Sequence, residues 1–193
     1  MAPMILATRN AHKLAEVRRM LGDDGVAALD DDVELGPEVG ETFAANALAK
    51  ARAAATATAT VAIADDSGIC AEALGGAPGV SSARFAGEGA SDEQNLALLI
   101  ERVPPGSALA YVCAIAYVDP ELALERVFEG RCEGTMAPAP RGSGGFGYDP
   151  VFVPTAADGR TMAQLDAAEK DALSHRGAAL RALAAWLREQ PRR

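Results

Sequence analysis

Two neighbouring runs, Ala108 to Val118 and Leu122 to Glu133, are rich in valine, tyrosine, isoleucine and phenylalanine, with the turn signal Asp119-Pro120 between them. β-Branched and aromatic side chains suit a pleated surface, so the two runs predict a long antiparallel hairpin. The N-terminal half carries different signals. Met4 to Ala7 suits a short buried strand, and His12 to Leu21 places Leu14, Val17, Met20 and Leu21 on one helical face before Gly22 stops it. Thr42 can cap a second helix through ALAKARAAATA, and Val61 to Ala64 reads as a strand buried on both faces. Ser91 and Gln94 have capping-box spacing ahead of Leu96, Leu99 and Ile100. Thr161 and Gln164 repeat it as a helix start, and Ser174 opens a last helix through Leu180, Leu183 and Leu187. Strands and helices mixed in this way predict an α/β fold.

A chain of 193 residues can bury the core of one domain, expected here over residues 1–193, without metal or disulfide. No window approaches 18 consecutive apolar residues, and MAPMILATRN has no basic segment before its short hydrophobic stretch, so a cytoplasmic protein with no membrane partner is expected. The net charge of -9 repels polymeric nucleic acid, whereas a small anion held by a few local cations and a metal ion stays compatible with it. Cys70, Cys113 and Cys132 form no CxxC pair and are odd in number, which predicts reduced, structural thiols.

Three stretches carry candidate chemistry. In TRNAHK, Thr8, Asn10 and Lys13 fall where a strand leads into a helix. Asn10 is either an N-cap or an anion ligand, and Lys13 in the first turn opposes the helix dipole, which favours a ligand. The doublet Asp65-Asp66 follows the strand at Val61 to Ala64 and precedes Ser67-Gly68. It is either turn chemistry or an acidic metal site at a strand end, and both carboxylates can share a metal only if the backbone turns between them. The loop APAPRGSGGFGYDP lacks the Walker A pattern and is not set between a strand and a helix. Its Phe146, Tyr148 and Asp149 suit recognition of a flat heterocycle.

The ordered set TRNAHK from Thr8, EVGETF from Glu38, NALAK from Asn46, ADDSG from Ala64, GGAPGV from Gly75, SARF from Ser82, GGFGYDP from Gly144 and SHRG from Ser174 closely resembles the inosine/xanthosine triphosphate pyrophosphatases, which act on non-canonical purine nucleotides. The resemblance covers nearly the whole chain. It implies an elongated mixed sheet with flanking helices in two lobes around a nucleotide cleft, a homodimer, and Mg²⁺-dependent hydrolysis of dITP, ITP and XTP to the monophosphate and pyrophosphate. It implies Asp66 as proton acceptor and metal ligand, and Glu38 as second metal ligand. Thr8, Arg9, Asn10, Ala11, His12, Lys13, Lys50, Ser67, Phe146, Gly147, Tyr148, Asp149, Lys170, His175 and Arg176 would contact the nucleotide. Two departures stand out: Ala45 precedes Asn46 where many relatives carry glutamate, and His12 stands where glycine is common.

On this reading the metal, Lys13, Lys50 and Lys170 offset phosphate charge while Asp66 accepts a proton from the water that attacks the α-phosphorus, and Asp65 supports the site. A haloacid-dehalogenase-like phosphatase would need a D-x-D arrangement in place of Asp65-Asp66-Ser67. A Maf-like pyrophosphatase of other base specificity is the nearest alternative, and a non-catalytic nucleotide sensor should lack the acidic pair Glu38 and Asp66.

Overall fold

A computed structural model describes residues 3–22 and 25–190. Its order is β1 (Met4–Leu6), α1 (Ala11–Leu21), β2 (Val26–Ala28), α2 (Phe43–Thr58), β3 (Ala62–Ala71), α3 (Asp92–Arg102), β4 (Ala108–Asp119), β5 (Leu124–Met136), β6 (Phe152–Pro154), α4 (Ala167–Leu173) and α5 (His175–Glu189). The strands form one six-stranded sheet in the order β2-β1-β3-β4-β5-β6. β1 pairs in parallel with β2 and β3, and β6 pairs antiparallel with β5. The expected α/β class is therefore a mixed sheet with helices. β2 and β6 are three residues each, too short for periodicity to reveal.

The chain forms two compact units. One comprises residues 1–66, 113–129 and 178–193, and the other residues 67–112 and 130–177. The chain passes from one to the other inside continuous elements, β3, β4, β5 and α5. The first unit packs Leu6, Val17, Ile63, Ile115, Leu180 and Leu183 together, and a second cluster in it sets Ala47, Ala51, Ala54 and Ala55 of α2 against Ala62, Ala64, Ala114 and Ala116. Alanine on both surfaces lets helix and sheet backbones approach closely. The other unit has its own core of Ile69, Leu99, Leu109, Tyr111, Phe152 and Met162.

Predicted caps are largely present. Asn10 Oδ1 accepts the amides of His12 and Lys13, Thr42 caps α2, and Ser91 with Gln94 forms a capping box on α3. Ser174 accepts the Gly177 amide at the start of α5. The hairpin turn is closed by Asp119, whose Oδ1 accepts the amides of Glu121 and Leu122. Two expectations are corrected. The Thr161–Gln164 box opens only a 3-10 turn over Met162–Gln164, because Leu165 is extended and a second box, Asp166 with Glu169, starts α4. The strand at Val61 to Ala64 does not stop at the acidic doublet: β3 runs ten residues, through Ala71.

Candidate active site

That longer strand decides the doublet. Consecutive side chains of an uninterrupted strand point to opposite faces, so Asp65 and Asp66, both buried, make different direct contacts. Asp65 Oδ1 lies 2.9 Å from Lys13 Nζ, and Cys113 Sγ on β4 lies 3.8 Å from Asp65 Oδ2. Asp66 Oδ2 accepts a hydrogen bond from Asn46 Nδ2 at 3.0 Å, and its Oδ1 lies 3.6 Å from Lys50 Nζ. The turn-forming reading of DDSG is overturned, since those four residues continue β3, which lies between β1 and β4 in the sheet.

Around Asp66 the geometry is built by α2. Asn46 and Lys50 are one helical turn apart and share a face with the buried alanines. Asn46 also accepts the Gly40 amide at 2.7 Å, which ties the loop carrying Glu38 to the helix. Glu38 Oε1 in turn lies 2.5 Å from Lys50 Nζ. Burial works against the Lys50 charge, but Asp65, Asp66 and Glu38 outweigh it and hold the ammonium's pKa above its ordinary value. Burial lifts the Asp66 carboxyl above the ordinary carboxylate value, with Lys50, the Asn46 hydrogen bond and Lys13 opposing the lift and Glu38 adding to it. Among the described residues no three His, Cys, Asp or Glu side chains are grouped to hold a metal. Glu38 and Asp66 nevertheless approach one cationic point, the Lys50 ammonium, and a pair of carboxylates suits Mg²⁺ that takes its other ligands from water and phosphate.

The Thr8–Lys13 segment divides by role. Arg9 donates to Asp31 Oδ1 and to the carbonyls of Asp31 and Val33, a clamp on the loop that follows β2, so its side chain is engaged there. Asn10 serves as the cap, Thr8 Oγ1 accepts the Asn10 amide, and Ala11 and His12 are exposed. Lys13 sits in an unfavourable first-turn position because Asp65 compensates it.

In the other unit a second cluster gathers Ser67, Phe146, Asp149, Lys170 and Arg176. Lys170 Nζ lies 2.7 Å from Asp149 Oδ2, which also accepts the Phe146 amide at 3.0 Å, while Asp149 Oδ1 accepts the Tyr111 hydroxyl at 3.1 Å. Lys170 and Arg176 lie over the Phe146 ring, 4.7 and 5.7 Å from its centroid. Arg176 Nη2 donates to Ser67 Oγ at 2.8 Å although Arg176 is 3% exposed. Such a buried guanidinium offers rigid donors to a carbonyl oxygen. The loop depends on Gly145: at φ +71°, an added Cβ would lie 2.0 Å from Asp149 Oδ2. Tyr148 and Gly147 are committed elsewhere. The buried Tyr148 hydroxyl donates to the Ser82 carbonyl at 2.7 Å, and the Gly147 amide donates to Asp92 at 3.1 Å. Asn46 and Tyr111 join these clusters without having been singled out from the sequence. An asparagine opening an apolar helix run and a tyrosine in a strand carry no local signal of what they face.

Residues 4–186 match the model of the Ham1 family. The chain is a member of the Ham1 family. Ham1 relatives named dITP/XTP pyrophosphatase include one from Mycolicibacterium paratuberculosis, 50% identical over 95% of this chain and 94% of its own, and one from Frankia alni, 50% identical over 96% and 97%. A Ham1 protein of Coxiella burnetii has the same fold at TM-score 0.86 and 39% identity, covering 98% of this chain and 100% of its own. A Mycobacterium abscessus structure described as a nucleoside-triphosphatase and dITP/XTP pyrophosphatase reaches TM-score 0.74 at 46% identity, covering 96% and 98%. Glu38, Asp65 and Asp66 all lie within the Ham1 match.

Proposed function

We infer that this Ham1 protein is a nucleoside triphosphate pyrophosphatase that hydrolyses non-canonical purine nucleotides, dITP, ITP and XTP, to the monophosphate and pyrophosphate. The observation that carries the chemistry is the convergence of Glu38 and Asp66 on one cationic position, beside an Asp66 carboxyl whose pKa is raised. Those two residues would hold Mg²⁺, which when bound neutralises phosphate charge. Asp66 accepts a proton from the attacking water as the oxygen bonds to the α-phosphorus and the bond to pyrophosphate breaks. Its raised pKa makes it a better base than an ordinary carboxylate. Asn46 keeps Asp66 Oδ2 oriented through its 3.0 Å bond, and the Lys50 ammonium, released from the two carboxylates, is available to a phosphate oxygen.

Phe146 supplies a ring for stacking, and Arg176 with His175 supplies donors for the oxygen at purine position 6, where adenine instead presents an amino donor. The protein acts as a homodimer on this reading, with a nucleotide as its partner.

A nucleotide panel assayed separately for pyrophosphate and orthophosphate tests it. Pyrophosphate from dITP, ITP and XTP, lost with a chelator and restored by Mg²⁺, is the expected outcome. Orthophosphate alone means a stepwise phosphatase, turnover confined to other bases means the Maf-like alternative, and binding without turnover means a sensor.

A further inference from the structure

We propose that Tyr111, on β4, is a positioning residue for purine recognition: its ring sets the plane of the His175 imidazole and its hydroxyl fixes Asp149. This rests on the nucleotide reading given above. The Tyr111 and His175 rings are stacked, with centroids 4.6 Å apart and planes 7° from parallel. The tyrosine is braced from another side by Phe152, at 4.5 Å and 47°. His175 is the first residue of α5, so the stacked ring lies at the start of that helix.

The hydroxyl has a separate task. A buried phenol costs stability unless bonded, and a pure core position is filled better by phenylalanine. Tyr111 donates to Asp149 Oδ1, while Asp149 Oδ2 receives Phe146 N and Lys170 Nζ. Burial, and then the Asp149 charge, push the phenol's pKa well up, so it stays protonated and donates. Fixing Asp149 therefore fixes the Phe146 amide and the Lys170 ammonium that lies over the Phe146 ring. One side chain thus aligns groups from β4, the 146–149 loop, α4 and α5, all within one unit.

The test compares Tyr111→Phe, nearly isosteric and able to keep the stack, with Tyr111→Leu, which loses it. Tyr111→Phe should raise KM for dITP about 10-fold with kcat within about 3-fold, as expected for one lost bond to a charged acceptor. Tyr111→Leu should in addition lower the dITP over dATP preference in kcat/KM by about 10-fold. The ring-current shift of the His175 Cε1 proton, read by NMR, should persist in Tyr111→Phe and vanish in Tyr111→Leu. Parent-like KM and preference in Tyr111→Phe, or kcat falling in step with the folded fraction at constant preference, overturns the proposal while leaving the enzyme reading intact. A parent protein that does not turn over dITP overturns both.

Discussion

Breaking the Asp149–Lys170 pair one side at a time tests whether the second cluster is held electrostatically. The two side chains are 5% and 9% exposed and 2.7 Å apart, so neither charge has water in place of its partner. Removing one member of a buried pair costs about 3–5 kcal/mol, most of it the penalty of the charge left behind. Lys170→Met should lie near 3, because the Tyr111 hydroxyl and Phe146 amide still stabilise the Asp149 anion. Asp149→Asn should lie near 5, because the ammonium then relies more heavily on the Phe146 ring at 4.7 Å, a contact worth about 1–2 kcal/mol. The double variant has no orphaned charge and should cost no more than the worse single, a coupling of about 3 kcal/mol or more. Urea unfolding followed by circular dichroism gives all three values. If the single costs sum to the double within about 0.5 kcal/mol, the pair does not interact in the folded protein and the electrostatic account is wrong.

Other outcomes follow from the same geometry. Asp66→Asn should lower turnover about 100-fold or more while raising stability. A carboxyl whose folded pKa lies above its unfolded value favours the fold fully only below the unfolded value and loses that contribution as pH rises through the folded one. The variant's gain should therefore grow between pH 4 and 7 in thermal melts, and a gain that shrinks with rising pH contradicts the sign. Lys50→Met removes the cation at Glu38 and Asp66, so Mn²⁺ should bind the nucleotide-free protein about 5-fold or more tightly by electron paramagnetic resonance, with turnover reduced; unchanged affinity means the ammonium does not compete for that position. Arg176→Ala should lower kcat/KM for dITP about 10- to 100-fold more than for dATP, and an unchanged ratio removes Arg176 from base selection. Replacing Cys70, Cys113 and Cys132 together should reduce stability and keep turnover, since none of the three is in a disulfide and burial pushes the Cys132 thiol up to about 11, away from nucleophilic use; complete loss of turnover in a folded variant points to thiol chemistry.

Local signals were legible in proportion to how local the physics was. Caps at Asn10, Thr42, Ser91 and Ser174 are set within four residues and stand where the sequence places them. The long hairpin is equally plain, because two extended runs and an Asp119 turn specify each other. The end of β3 is not legible. Asp-Asp-Ser-Gly reads as a turn in isolation, and only the sheet it joins keeps it extended. The acidic and basic residues of the first cluster could be named from motifs, but their pairings could not. Lys13 with Asp65, and Lys50 with Glu38 and Asp66, depend on where separate segments meet. Arg9 shows the reverse: a cation in a promising motif whose side chain is occupied by a neighbouring loop.

The pleat of β3 has one more consequence, for anyone who edits this gene. Changing Asp65 and Asp66 together, the natural choice when a motif is treated as a single acidic unit, merges two lesions with different direct contacts. One strips the nearest counter-charge from Lys13 at the helix start, and the other removes the carboxylate beside Asn46 and Lys50. A single-residue insertion ahead of the strand is more deceptive still. If pairing slips by one, Asp65 takes the place of Asp66 while Ala64 takes the place of Asp65, so the protein keeps a carboxylate beside Asn46 and Lys50 and leaves Lys13 without its own. A revertant screen could therefore recover activity in a protein whose Lys13 has lost its nearest counter-charge.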